Sequence, residues 1–370
     1  MTQRTGNQMS RGKAIAGDQS EIEMRSFFGA PNAKIGAMTS HFMAIASLSF
    51  AVVSPVGAVT QSRPSVAQDL PPGWAYPVSA PDSSGGAVGD KAVLHVPGST
   101  AGFTRAQTTD RFAPPDWHPQ EHPAMPAVVS KGRQPALYAC AYCHLPTGAG
   151  RSENASLAGL PAGYIEEQMA DMKAGLRLSA VPTMTAAMNA EAVAASDTEV
   201  REAAEYFASL SPRSGWIRVV ESDTAPHTEV IPVNVLAQTP DGALEPIGAR
   251  IIEVPEDVGL AVLRDSDSGY VAYVPKGSIA AGRDLVVTGG SGKTIACATC
   301  HGVDLRGVAN IPQIASRSPT YIFRQLYDFK SGARHGATGA LMKAPVAGLS
   351  DSDMISIAAY LASITSGAAN

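Results

Sequence analysis

Two short stretches restrict this chain more than anything else in it: ALYACAYCHLPTGAGR, residues 136–151, and KTIACATCHGVDLRG, residues 293–307. The chain has 4 cysteines, and all of them lie in these stretches. Cys140 and Cys143 precede His144, and Cys297 and Cys300 precede His301. Thiols three residues apart share one turn of helix, and the adjoining histidine continues that turn. A thioredoxin-like pair would sit beside a βαβ pattern, which the sequence lacks. A zinc ribbon sets its two C-x-x-C pairs about fifteen to twenty residues apart. Here Cys140 and Cys297 are 157 positions apart. A structural disulfide would not require histidine at the same offset twice.

C-x-x-C-H is the attachment pattern of a c-type haem. Each thiol adds to one vinyl group of the ring, and the neighbouring imidazole faces the iron. The expectation is two covalently bound haems c, held by Cys140, Cys143 and His144 and by Cys297, Cys300 and His301. Every thiol is then used, and no disulfide is available.

Placing the motifs in register exposes an internal repeat. AGYIEEQMADMKAGLR after the first matches PTYIFRQLYDFKSGAR after the second. Tyr164 aligns with Tyr321, Gln168 with Gln325, Lys173 with Lys330, Gly175 with Gly332 and Arg177 with Arg334. Both segments have apolar residues at helical spacing. SDTEVREAAEYFASL then matches SDSDMISIAAYLASI, each opened by Ser-Asp, a favourable N-cap with an acid in the first turn. Each unit therefore reads as a helical domain of about eighty to ninety residues. Met188 lies eight residues before Ser196, and Met342 eight before Ser350. A methionine at the same place in both copies is what a His/Met iron requires. His144 with Met188 and His301 with Met342 are the expected metal ligands. Met184 is the rival in the first unit, and Met354 reads as core packing.

The repeat divides the chain. Residues 1–58 read as a leader: the apolar run Phe42–Val53 is too short to span a membrane and suits a signal sequence. Cleavage near Val56-Gly57-Ala58 is favoured over an uncleaved anchor. Residues 59–121 form a Pro/Gly-rich extended arm, 122–212 the first helical domain, and 278–370 the second. Residues 213–277 hold short β-branched runs such as WIRVVES and GYVAYVP bounded by turn signals, a small β-rich insertion. The class is mainly α, with that insertion and arm added. A net charge of −5 argues against nucleic acid as a partner. Low aromatic content, 6%, suits domains in which a porphyrin fills much of the core. His118, His122, His227 and His335 read as surface histidines. Arg177, Lys173, Arg334 and Lys330 read as a solvated face at least as readily as partners of haem propionates.

The combination of C-x-x-C-H, a Tyr-x-x-x-Gln helix ending in Gly-x-Arg, the methionine and the Ser-Asp-opened last helix resembles dihaem cytochromes c of the c4 type. These are tandem class I cytochrome c domains. The second unit also carries Gly302 and Pro312 where that family has them. The first has Leu145-Pro146 after its histidine and Ala155 in place of the proline, so the resemblance implies that the Ala155 carbonyl binds the imidazole. It further implies an electron carrier outside the cytoplasm, with no catalytic residues. The donor would be a quinol-oxidising complex or dehydrogenase, and the acceptor a terminal oxidase. Membrane association would come only through a partner or a retained leader. The alternatives are a dihaem peroxidase and the electron-transfer subunit of a periplasmic dehydrogenase.

Overall fold

The computed structural model describes residues 70–78, 91–231 and 234–365. The expected leader, 1–58, lies outside the described residues. Among them no helix is long and apolar enough to cross a membrane.

The arm carries β1 (Val93–Leu94) paired antiparallel with β2 (Phe103–Thr104), then the single turn α1 (Arg105–Thr108). The first helical unit comprises α2 (Ala127–Ser130), α3 (Cys140–His144), α4 (Ala162–Lys173), α5 (Thr183–Ala194) and α6 (Asp197–Ser209). Ser196 opens α6 with a capping box: its hydroxyl accepts from the Glu199 N–H while Glu199 accepts from the Ser196 N–H. A core of Val129, Leu137, Ile165, Ala204, Tyr206 and Phe207 joins these helices.

Next come β3 (Ile217–Ser222), β4 (Thr224–Pro226), β5 (Thr228–Ile231), β6 (Val235–Gln238), β7 (Leu244–Pro246), β8 (Ile252–Pro255), α7 (Val258–Val262) and β9 (Tyr270–Pro275). β9 is the middle strand of a three-stranded sheet, parallel to β3 and antiparallel to β8. Pairs β4–β7 and β5–β6 extend beside it. Val, Ile and Tyr dominate β3 and β9 because branched and aromatic side chains pack well on a pleated surface.

The second unit has α8 (Ser278–Thr288), α9 (Ala298–His301), α10 (Pro319–Ser331), a 3₁₀ turn (Gly339–Met342), α11 (Lys343–Ala347) and α12 (Asp351–Ser363). Ser318 caps α10, Pro319 occupies its first turn, and Gly332 ends it in the left-handed conformation at φ 79°. α12 repeats the capping box of α6, with Ser350 and Asp353. The apolar side chains of α12 share one core with Trp216, Ile217, Tyr270 and Val274 of the strand region. The sheet is thus built into the second unit's core. It also reaches α10 through Glu253 on β8, which is buried and accepts hydrogen bonds from the Ser318 hydroxyl at 2.7 Å and the Thr320 N–H at 3.2 Å.

The repeat residues meet each other. Arg177 and Arg334 form an antiparallel bridge flanked by Leu178 N–H to Ala333 O at 3.0 Å and His335 N–H to Leu176 O at 2.9 Å. The Arg177 guanidinium donates to Gln168 at 3.0 Å and Tyr321 at 3.2 Å. Its repeat partner Arg334 donates to Gln325 at 2.8 Å and Tyr164 at 2.9 Å, and crosses to Gln168 at 2.6 Å. This is an approximate two-fold arrangement, as expected when equivalent patches dock on one another. Both guanidinium groups are buried. The solvated face expected for Arg177 and Arg334 is therefore corrected. A planar fork with several donors satisfies amide and phenol oxygens across the contact, which offsets part of the cost of burying its charge. Lys173 stays exposed, and Lys330 donates to the Leu349 carbonyl.

The reading of His118 and His122 as surface residues also fails. His118 is 2% exposed, with Nε2 2.9 Å from Asp265 Oδ1, and the His122 imidazole is buried 3.2 Å from Asp116. A proline-rich segment lies against the fold here, because the neighbouring Trp117 is buried and donates to the Leu263 carbonyl at 2.8 Å.

Candidate cofactor centres

In the first unit Cys140, Cys143 and His144 occupy the single turn α3. Leu145 ends it at φ 64°, ψ 154°, a region that only glycine enters without strain. In the second unit Gly302 takes the equivalent position, at φ 84° and ψ 157°. The backbone demand is the same, and only the second unit meets it with the residue that suits it. Burial of the Leu145 side chain compensates in the first.

The two histidines are held alike. His144 Nδ1 lies 2.8 Å from the Ala155 carbonyl, and His301 Nδ1 lies 2.8 Å from the Pro312 carbonyl. In each case Nδ1–H donates to the carbonyl, which fixes the ring and leaves Nε2 as the nitrogen available to a metal. Ala155 thus supplies the contact that proline makes in the other copy. The geometry depends on a glycine that the sequence reading did not single out. Gly150 N–H donates to His144 O at 3.1 Å, and Gly307 N–H donates to His301 O at 2.8 Å. Both glycines have positive φ, 71° and 89°. A Cβ on Gly150 would meet the Ala155 carbonyl at 2.6 Å. The signal was present, since a glycine follows each histidine by six residues.

Burial pushes both imidazoles below their ordinary pKa, so they stay neutral, the form that binds a metal. The Cys140 thiol is pushed up to about 12, and that of Cys297 to about 11, chiefly by burial. Such thiols are not the activated thiolates of a redox or nucleophilic site. They suit a cysteine that ends as a thioether.

In the first unit α3 forms one wall of a cavity of about 420 Å³. Met184 and Met188, one turn apart on α5, both line it, with Leu157, Ile165 and Phe207 adding apolar walls. Two thiols, an imidazole with one nitrogen free, a thioether sulfur and an apolar enclosure form a donor set that fits a haem. Met188 therefore sits in the middle of a 12-residue helix. Met342 instead ends a 3₁₀ turn, half-buried against the core that also receives Cys297. Equivalent sequence positions have different local backbones. His227 and His335 are exposed and lie in neither centre.

Three side chains from outside the repeats were not found from sequence. Arg111 from the arm and Asn234 and Arg264 from the strand region line the same first-unit cavity. Their contribution depends on tertiary contacts for which the chain carries no local pattern.

A helical unit closed around a C-x-x-C-H turn, with its histidine oriented by a backbone carbonyl, defines a protein that binds haem covalently. Residues 279–365 match the family model described as Cytochrome c. The chain is 39% identical over 88 residues to cytochrome c-554(548) of Halomonas halodenitrificans, covering 24% of this chain and 96% of that protein. It is 40% identical over 83 residues to a thiosulfate dehydrogenase electron acceptor of Stutzerimonas stutzeri, covering 22% of this chain but only 37% of that relative. A solved cytochrome c4 from Acidithiobacillus ferrooxidans aligns over 61% of this chain and 98% of its own, at 22% identity and a TM-score of 0.40. The chain belongs to the cytochrome c family, whose cofactor is a covalently bound haem c.

Proposed function

We propose that the chain is a dihaem c-type electron carrier of the c4 kind, working outside the cytoplasm. Cys140, Cys143, His144 and Met188 hold one haem, and Cys297, Cys300, His301 and Met342 hold the other. The observation that carries this reading is the repeated α3/α9 turn with its histidine fixed at 2.8 Å by a carbonyl in both copies. A haem c held by nitrogen and sulfur supplies a one-electron couple without an open coordination position. The chain's own residues then do three things. The thiols prevent loss of the group, the carbonyls of Ala155 and Pro312 orient the imidazoles, and the apolar walls exclude water. Exclusion of water raises the potential by disfavouring the more highly charged oxidised form.

The donor is a dehydrogenase or a quinol-oxidising complex, and the acceptor a terminal oxidase. The dehydrogenase reading has support from the relative named as the electron acceptor of thiosulfate dehydrogenase. Met188 and Met342, which would each offer a thioether to the iron of their unit, weigh against a peroxidase, which needs one iron open.

The test is to produce the chain in a host that matures c-type haem. Intact mass two haems above the polypeptide, with both C-x-x-C-H peptides modified, is expected. Met188→Ala and Met342→Ala should each remove half of the methionine–iron charge-transfer band, while Met184→Ala leaves it intact. An unmodified peptide at either motif overturns the dihaem reading. A band that survives Met188→Ala but not Met184→Ala reassigns the ligand.

A further inference from the structure

We infer that Arg264, supplied by the strand region between the repeats, makes the two haem centres unequal: its buried positive charge holds the first at a higher reduction potential than the second. This rests on the first centre carrying a haem, as proposed above.

The residue is held in place from several sides. α7 is capped by the Asp257 carboxylate and closed by Leu263 as its C-cap, after which Arg264 takes a positive φ of 62°. Trp117 donates to the Leu263 carbonyl at 2.8 Å, and His118 lies 2.9 Å from the next residue, Asp265. Arg213 donates to the carbonyls of Ser266 at 2.7 Å, Asp267 at 2.7 Å and Ser268 at 3.0 Å. An arm on one side and an arginine fork on the other thus fix a loop whose first side chain points at the first motif. Arg264 Nη1 donates at 2.6 Å to the carbonyl of Tyr142, the residue between the two cysteines. Its guanidinium carbon stands 3.7 Å from the centroid of the Tyr142 ring.

Of the carboxylates lining the same cavity, Glu153 pairs with Arg151, Glu199 pairs with Arg133, and Glu191 accepts from the Tyr138 N–H, so none is bonded to Arg264. Arg264 is 5% exposed and makes no ion pair among the described residues. Its buried neighbour Arg151, on the same cavity wall, is matched by Glu153 at 3.0 Å, so that pair is nearly neutral. Burying a lone guanidinium is unfavourable, and a ring that sheds positive charge on reduction gives it a use. At the equivalent positions of the second motif the residues differ. Thr299 stands where Tyr142 stands and is exposed, as is Cys300. Val308 takes the place of Arg151. A cation close to a metal in a water-poor site favours the form with less positive charge.

The test uses the full-length holoprotein in potentiometric titration, with the first component identified by its loss in a Cys140→Ala/Cys143→Ala variant. In wild type the midpoint that survives in that variant should be the lower of the two. This comparison requires no change at Arg264. Arg264→Gln should lower the ratio of reduced to oxidised first haem about tenfold at fixed potential, or ~59 mV for one electron. The second component should not move, and Arg264→Lys should stay near wild type. A surviving midpoint that is the higher one overturns the inference. So does an unmoved first component, an equal shift in both, or a lysine variant that behaves like glutamine. Fewer than two haems per chain in the wild-type mass would instead overturn the dihaem reading.

Discussion

Position 145 and position 302 pose the same backbone problem and answer it differently. A Cβ at Gly302 would approach the Gly307 carbonyl and Val308 to 3.2 Å while the residue holds φ 84°. Gly302→Ala should therefore destabilise the second unit by about 1–3 kcal/mol. Urea unfolding of the holoprotein measures this, and an unchanged midpoint would show that the turn relaxes. Glu199 gives a pH dependence. Its carboxyl is held down to about 2, first by Arg133 at 3.1 Å and then by the Ser196 N–H. A carboxyl whose folded pKa lies below its unfolded value stabilises the fold above about pH 4.5. That contribution disappears as the pH falls through 2. Arg133→Ala should flatten the loss of thermal stability between those limits, which scans from pH 5 to 2 would reveal. At this scale the two C-x-x-C-H turns and the Ala155 contact to His144 were legible, because a single turn and the orientation of its imidazole are set within a few residues. Gly150 and Gly307 were equally legible and were missed.

Among the elements, the last helix of each unit is announced by its own first turn. Ser350→Ala should cost about 1 kcal/mol by removing the cap of α12, with Ser350→Gly milder. α8 and α12 approach so closely that a Cβ on Gly282 would sit 1.9 Å from the Ser356 carbonyl. Gly282→Ala should therefore cost about 1–3 kcal/mol through forced separation of the two helices. Calorimetry of both variants would rank them, and a harmless Gly282→Ala would mean that the crossing is looser than it stands. Ser-Asp openings, helical spacing and β-branched runs gave these elements away. The methionine segments did not follow the repeat. α5 is a full helix around Met188, while Met342 closes a 3₁₀ turn, since eight-residue spacing to the next cap fixes a distance but not a conformation.

Among the described residues, the contact between the two repeats is fastened by polar side chains, some of which the repeat duplicates. Arg177 and Arg334 bind glutamine and tyrosine oxygens across the contact, and buried Arg317 donates to the Ser156 and Ala158 carbonyls. Replacing Arg177 or Arg334 with Met should cost roughly 2–3 kcal/mol each, because partner oxygens lose their donors inside the contact. The double variant should cost less than the sum of the two. A double-mutant cycle in urea would test the coupling, and strict additivity would show that the two guanidinium groups act alone. Asp328 draws distant segments together in the same way. It accepts from Tyr76 at 3.2 Å, Ser179 at 3.2 Å and the Ala180 N–H at 2.8 Å.

The amino-acid order alone specified the attachment turns, the helical repeat and the presence of strands between the copies, because each is written in spacings shorter than a few helical turns. Which repeated residues face one another, which histidines are buried and which arginine comes to lie beside the first motif were decided only by folding. Those contacts join positions more than a hundred residues apart, such as Tyr142 with Arg264 and Gln168 with Arg334. No periodicity within one segment encodes its partner in another. Only packing, and the need of buried polar groups for partners, selects it.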